Sequence, residues 1–139
     1  MTMDKLFLAF HVVGALIWVG SLFALMAFLE AYAGEPDAAA KGRLLKHLRS
    51  AAIVPDVGAT IALVFGAHWL FRFKLYEAHY MHAKLALVAI VIGLHVMLKM
   101  KVKKAKKGEP FTAPPLALKP ILTLLVFGIV IFVITKVPA

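Results

Sequence analysis

Four apolar runs, about 6–29, 50–71, 80–98 and 116–135, restrict what this chain can fold into. Each is close to the ~20 residues that a helix needs to cross the hydrocarbon core of a bilayer. Between them they use most of a 139-residue chain that is 63% hydrophobic, with a mean hydropathy of +0.90. Little sequence remains for a water-soluble domain. The expected fold is all-α: a single integral membrane domain, 1–139, built as a four-helix bundle. The first run has 24 residues, longer than the about 7–15 of a signal-peptide core. Despite the Ala31-Tyr32-Ala33 that follows, it is expected to stay attached.

Charge sets the expected orientation. With four spans, one side carries Lys5, Arg72, Lys74, Lys84 and Lys136, five cations in all. The other carries eleven: Lys41, Arg43, Lys46 and Arg49 in the first loop, then Lys99 to Lys107 and Lys119 around the third. The positive-inside rule places the basic loops in the cytoplasm and both termini on the non-cytoplasmic side. Trp69, Phe71, Phe73, Tyr76 and Tyr80 then form an outer interfacial belt.

The connections follow from local chemistry. Gly34-Glu35-Pro36-Asp37 breaks the first helix. Ala38–Arg49 reads as a basic amphipathic helix at the cytoplasmic surface. Pro55 is expected to kink the second span, because it lacks an N–H and crowds the preceding turn. Gly58, Ala62 and Gly66, four apart, make a smooth ridge that suits close helix packing within one chain or across a two-fold assembly. Gly108 to Pro115 is a short stiff loop. The fourth run has no ionisable residue between Lys119 and Lys136 and reads as a wall.

Function is sought in the ionisable groups placed in lipid, which are costly to hold there. The third span has three of them, His82, Lys84 and His95. At about 100° per residue, Lys84 and His95 fall within about 20° of one another, while His82 lies roughly 160° away. In the first span His11, Gly14 and Trp18 share a stripe, an imidazole and a flat ring with a gap between them, which suits a planar ligand. Haem b fits this set, since imidazole is its usual axial ligand in membrane cytochromes. His11 and His82 are expected at similar depth in the outer half and form one possible pair of ligands. His95, about 20 Å further along its helix, is a poorer partner for His11. It suits a second ligand, or proton handling with Asp56. Asp56 itself reads either as a proton carrier or as a carboxylate paired with Arg49 or Lys46.

Several classes are excluded or left weak. With no cysteine, there are no disulfides, thiolate metal sites, iron–sulfur clusters or covalently attached haems. His47, His68 and His79 read as interfacial polar residues. Scattered methionines give little support to a copper–thioether site. Lys99–Lys107 reads as a topology signal and a contact for anionic lipid. Nothing beside it resembles a nucleic-acid reading module, so nucleic acid is not an expected partner.

His11-(x6)-Trp18-Val19-Gly20-Ser21-Leu22, then Pro55 with Thr60, then His82-x-Lys84-Leu85-(x9)-His95 resemble the HemJ-type protoporphyrinogen oxidases and their CopD-like membrane relatives. The likeness spans the first three runs and departs from the family where its Pro-Arg pair and following His are replaced by Met26, Ala27 and Tyr32. It implies a haem b protein of a bacterial inner membrane that oxidises protoporphyrinogen IX to protoporphyrin IX. Electrons would pass to an acceptor such as a quinone. By carry-over His11 is the haem-associated histidine, and Lys84 and His95 are the functional pair of the third span. Two alternatives stand beside this one: a b-type cytochrome subunit that only transfers electrons, and a CopD-like copper-handling or structural membrane protein.

Overall fold

The computed structural model describes residues 2–136 and is helical almost throughout. Helix α1 covers Met3–Gly34, α2 Ala38–Ala51, α3 Ile53–Arg72, α4 His79–Lys106 and α5 Leu118–Lys136, with one 3₁₀ turn at Leu75–Glu77 before α4. No strand occurs among the described residues. Three helices, α1, the joined α2–α3 and α4, are long and apolar enough to cross a membrane. The apolar stretch described in α5, Leu118–Ile131, is shorter. The surface is correspondingly greasy: Leu16, Val64, Leu124 and Phe127 are all more than half exposed.

Capping chemistry sets the ends of the helices. Thr2 Oγ1 accepts the Lys5 N–H at 3.3 Å and opens α1, with Asp4 in the first turn beside the positive end of the helix. Asp37 Oδ2 accepts the Ala40 N–H at 3.0 Å and opens α2. Gly108, at φ +71°, closes α4: its N–H reaches the Ala105 carbonyl and that of Glu109 reaches the Lys104 carbonyl. Both bonds of a Schellman motif are thus made, and a side chain there would strain the turn.

Two expectations change. Pro55 acts at the edge of its helix and not in the middle of a span. The chain turns at Ala52, and Pro55 lies in the first turn of α3, where a backbone N–H has no helical acceptor to lose. The lysine-rich stretch is not a loop either, because α4 runs unbroken to Lys106. Its length carries the cations about 11 Å past Lys99 on the same rigid rod.

The glycine ridge is used inside the chain. Helices α1 and α3 run antiparallel, with Gly58 on the Trp18 backbone, Ala62 on Gly14 and Gly66 on the His11 ring. A Cβ on Gly58 would stand 2.5 Å from Trp18 N, and one on Gly14 would stand 2.6 Å from Ala62 N. Only hydrogen fits at either place. This ridge is therefore occupied within the chain.

The core is lopsided. Leu22, Leu25, Met26 and Leu29 of α1 close against Leu48, Leu98 and Val102, all 1% exposed or less, at the end that holds the first loop. Leu122 of α5 seals this cluster. Towards the other end, no residue of α1 before Gly14, none of α3 after Ala62 and none of α4 from His82 to Ile90 is buried. Aromatic contacts finish that end, with Trp69 against Phe73 and the Trp69 Nε1–H donating to the Asp4 carbonyl at 3.0 Å.

Candidate functional site

Two groups of polar side chains lie within the helices, one in each half. The inner group is a continuous hydrogen-bonded chain across α1, α4 and α3. The Trp18 Nε1–H donates to His95 Nδ1 at 2.8 Å. An indole can only donate, so Nδ1 holds the lone pair and the ring proton sits on Nε2. That Nε2–H donates to Asp56 Oδ1 at 2.8 Å. Asp56 Oδ2 accepts from the Lys99 ammonium at 2.8 Å, and the same ammonium donates to the Ala52 carbonyl at 2.7 Å. That carbonyl sits at the α2–α3 turn, where the helical ladder is interrupted. The His95 side chain is 13% exposed, whereas that of Asp56 is 50% exposed and faces a cleft. Each group in the chain meets a partner's need, so it holds together without a ligand.

This geometry revises three expectations. Both ring nitrogens of His95 are engaged, which leaves no lone pair for a metal in this arrangement. Asp56 pairs with Lys99 and His95 across the bundle, not with Arg49 or Lys46. Trp18 and Gly14 do not line a slot for a planar ligand: Ile61 and Ala62 of α3 fill the gap at Gly14, and the Trp18 indole is turned to His95.

The outer group is sparser. The His11 Nδ1–H donates to the Ala62 carbonyl at 2.7 Å, and the ring edge lies on Gly66. His11 Nε2 keeps its lone pair. Lys84 of α4, half-buried, is within electrostatic reach of this ring. Among the described residues no hydrogen bond or ion pair reaches Lys84. His82 is exposed and donates its Nε2–H to the Tyr76 carbonyl at 2.6 Å, which ties the start of α4 to the preceding turn. No ring contact joins it to His11, although its Nδ1 stays free. Among the described residues no group of three or more His, Asp or Glu converges as a metal site.

Two participants escaped the sequence reading. Lys99 counts there only among the lysines of a topology signal, yet it stands four residues after His95 and therefore on the same face. Glu30 ends the first apolar run unremarked. It accepts from the Lys119 ammonium at 3.0 Å and pins α5 to α1, and its other oxygen, Oε1, is buried without a partner.

No family model, curated protein or solved structure matches this chain. Function therefore has to be argued from these side chains.

Proposed function

We propose that this chain is a multi-pass haem b protein of a bacterial inner membrane, a four-span bundle with both termini outside, that oxidises protoporphyrinogen IX to protoporphyrin IX. The observation that carries this reading is Lys84. Its ammonium stands in the sparsely packed half, without a hydrogen-bond or ion-pair partner among the described residues and within electrostatic reach of an imidazole with a free lone pair. A lone cation in hydrocarbon is costly, and a ligand carboxylate offsets that cost. An imidazole that anchors its other N–H on a carbonyl is oriented as metal ligands usually are. Tetrapyrroles carry both complements, a metal in haem and carboxylates on haem and porphyrinogen alike.

The donor set fits haem. His11 would hold the iron through Nε2, and His82, with Nδ1 free, is the candidate for a second ligand. Bound haem supplies a one-electron carrier inside the bilayer. The chain's own residues do the rest. Lys84 pairs with a substrate carboxylate and fixes its orientation as a point charge. Few side chains of α1, α3 and α4 are buried towards this end, so a flat macrocycle there would displace lipid more than core. Electrons leave to a membrane-soluble acceptor of the quinone class. Protons leave at the inner end, where the Asp56 carboxylate takes one up, becomes neutral, and releases it to the water its half-exposed side chain meets, the Lys99 ammonium favouring return to the ionised form.

Detergent-solubilised protein is expected to show a Soret band and to rescue a porphyrinogen-oxidase-deficient strain. His11→Ala should lose the band. Lys84→Gln should keep it and fail to rescue. A colourless wild-type protein removes the haem reading, and a full band in His11→Ala removes the ligand assignment. A haem-loaded wild type without rescue leaves the electron-transfer cytochrome.

A further inference from the structure

Where α4 leaves the core, one of its faces carries His95, Lys99, Lys103 and Lys106, at helical spacings of four, four and three. A cleft of about 500 Å³ runs along this face. Its two ends differ in chemistry. At the inner end Lys99 is fully engaged by Asp56 and the Ala52 carbonyl, so those charges cancel. At the outer edge Lys103 and Lys106 have no hydrogen-bond or ion-pair partner among the described residues. The side wall between them is apolar and open, with Val96 51% and Met100 58% exposed.

We propose that this cleft is a binding site for one phospholipid with a net-negative headgroup from the surrounding leaflet. Lys103 and Lys106 hold the headgroup phosphate, and an acyl chain lies along Val96 and Met100. Depth supports the assignment. Lys103 and Lys106 stand about 12 and 16 Å beyond His95 along the helix axis, a distance that takes their ammoniums to headgroup level while Val96 and Met100 stay among acyl chains. Charge supports it as well. Among the described residues, two cations without a partner flank the cleft, and the one carboxylate lining it is already neutralised by Lys99. Basic clefts at the cytoplasmic ends of membrane helices attract anionic headgroups in this way. A soluble phosphate would meet the same ammoniums but gain nothing from the apolar wall.

The test titrates purified protein in detergent with phosphatidylglycerol or phosphatidylcholine and counts bound lipid by native mass spectrometry. One phosphatidylglycerol should bind in preference to phosphatidylcholine. Lys103→Gln with Lys106→Gln should weaken it by roughly ten- to thirty-fold. Lys103→Arg with Lys106→Arg should retain it, which separates lost charge from lost fold. Arg43→Gln with Lys107→Gln removes as much charge from the same side of the bundle without touching the cleft or its apolar wall, and should leave binding unchanged. Equal loss in both glutamine variants, equal binding of the two lipids, or full displacement by millimolar inorganic phosphate would overturn the proposal.

Discussion

At the residue scale, the tautomer of His95 is the sharpest consequence of the geometry. The indole of Trp18 can only donate, so it fixes the proton of His95 on Nε2 and thereby aims it at Asp56. Trp18→Phe keeps the ring and deletes the donor. It should leave Nδ1 unpaired in a low-dielectric site and cost about 1–2 kcal/mol. Nitrogen-15 NMR of labelled histidine should report one Nε2–H tautomer in the wild type and still in Trp18→Phe, because the Asp56 carboxylate also accepts only from Nε2–H, and a mixture once Asp56→Leu is added; a mixture in the wild type would refute the assignment. The histidines also differ in how readable they were. That ionisable groups in a span need partners was legible from their cost in lipid. Which partner each had chosen was not. His11 turns to a backbone carbonyl, an acceptor present at every residue and so invisible in a sequence pattern. Lys99 was hidden among its neighbours because a run of lysines reads as one surface signal.

At the element scale, the contact of α1 with α3 depends on hydrogen atoms where side chains would otherwise stand. Gly58→Ala places a methyl group against the Trp18 backbone and should destabilise the pair by about 1–3 kcal/mol, because neither backbone can give way. Gly20→Ala, on the same α1 but with open space around it, should be neutral or slightly favourable, since alanine is the better helix former. Unfolding in mixed micelles, followed by circular dichroism, compares the two. Equal losses would show that the cost is helix propensity and not close approach. The spacing of Gly58, Ala62 and Gly66 announced a smooth ridge. It did not say what lay on it, since a small-residue stripe is equally suited to a helix of the same chain or of another.

At the scale of the whole molecule, the chain alternates direction. Asp4 meets Trp69 at one end, while Glu30 meets Lys119 at the other. Charge asymmetry then predicts the side. Because the sequence has no cysteine, single substitutions report topology without background. In intact cells Tyr76→Cys should react with a membrane-impermeant maleimide added outside, and Lys107→Cys should react only after lysis. The reverse pattern would invert the orientation. The unequal core has a mechanical consequence too. The end around Leu25 and Leu98 should exchange amide hydrogens slowly, and the end around His11 and Lys84 faster, since buried apolar contact is what resists local opening.

Composition and periodicity alone determined that this chain is helical and rich in segments suited to a bilayer. The physical reason is that lipid leaves the backbone no partner but itself, so apolar length dictates helix. Helix ends were legible as well, because caps and breakers act within a few residues. Tertiary structure decided the rest: that α3 fills the gap at Gly14, that His95 belongs to Trp18 and Asp56, and that Lys84 is left alone. Those outcomes depend on the rotation and depth of one helix against another, which many weak contacts set together and no short stretch of sequence encodes.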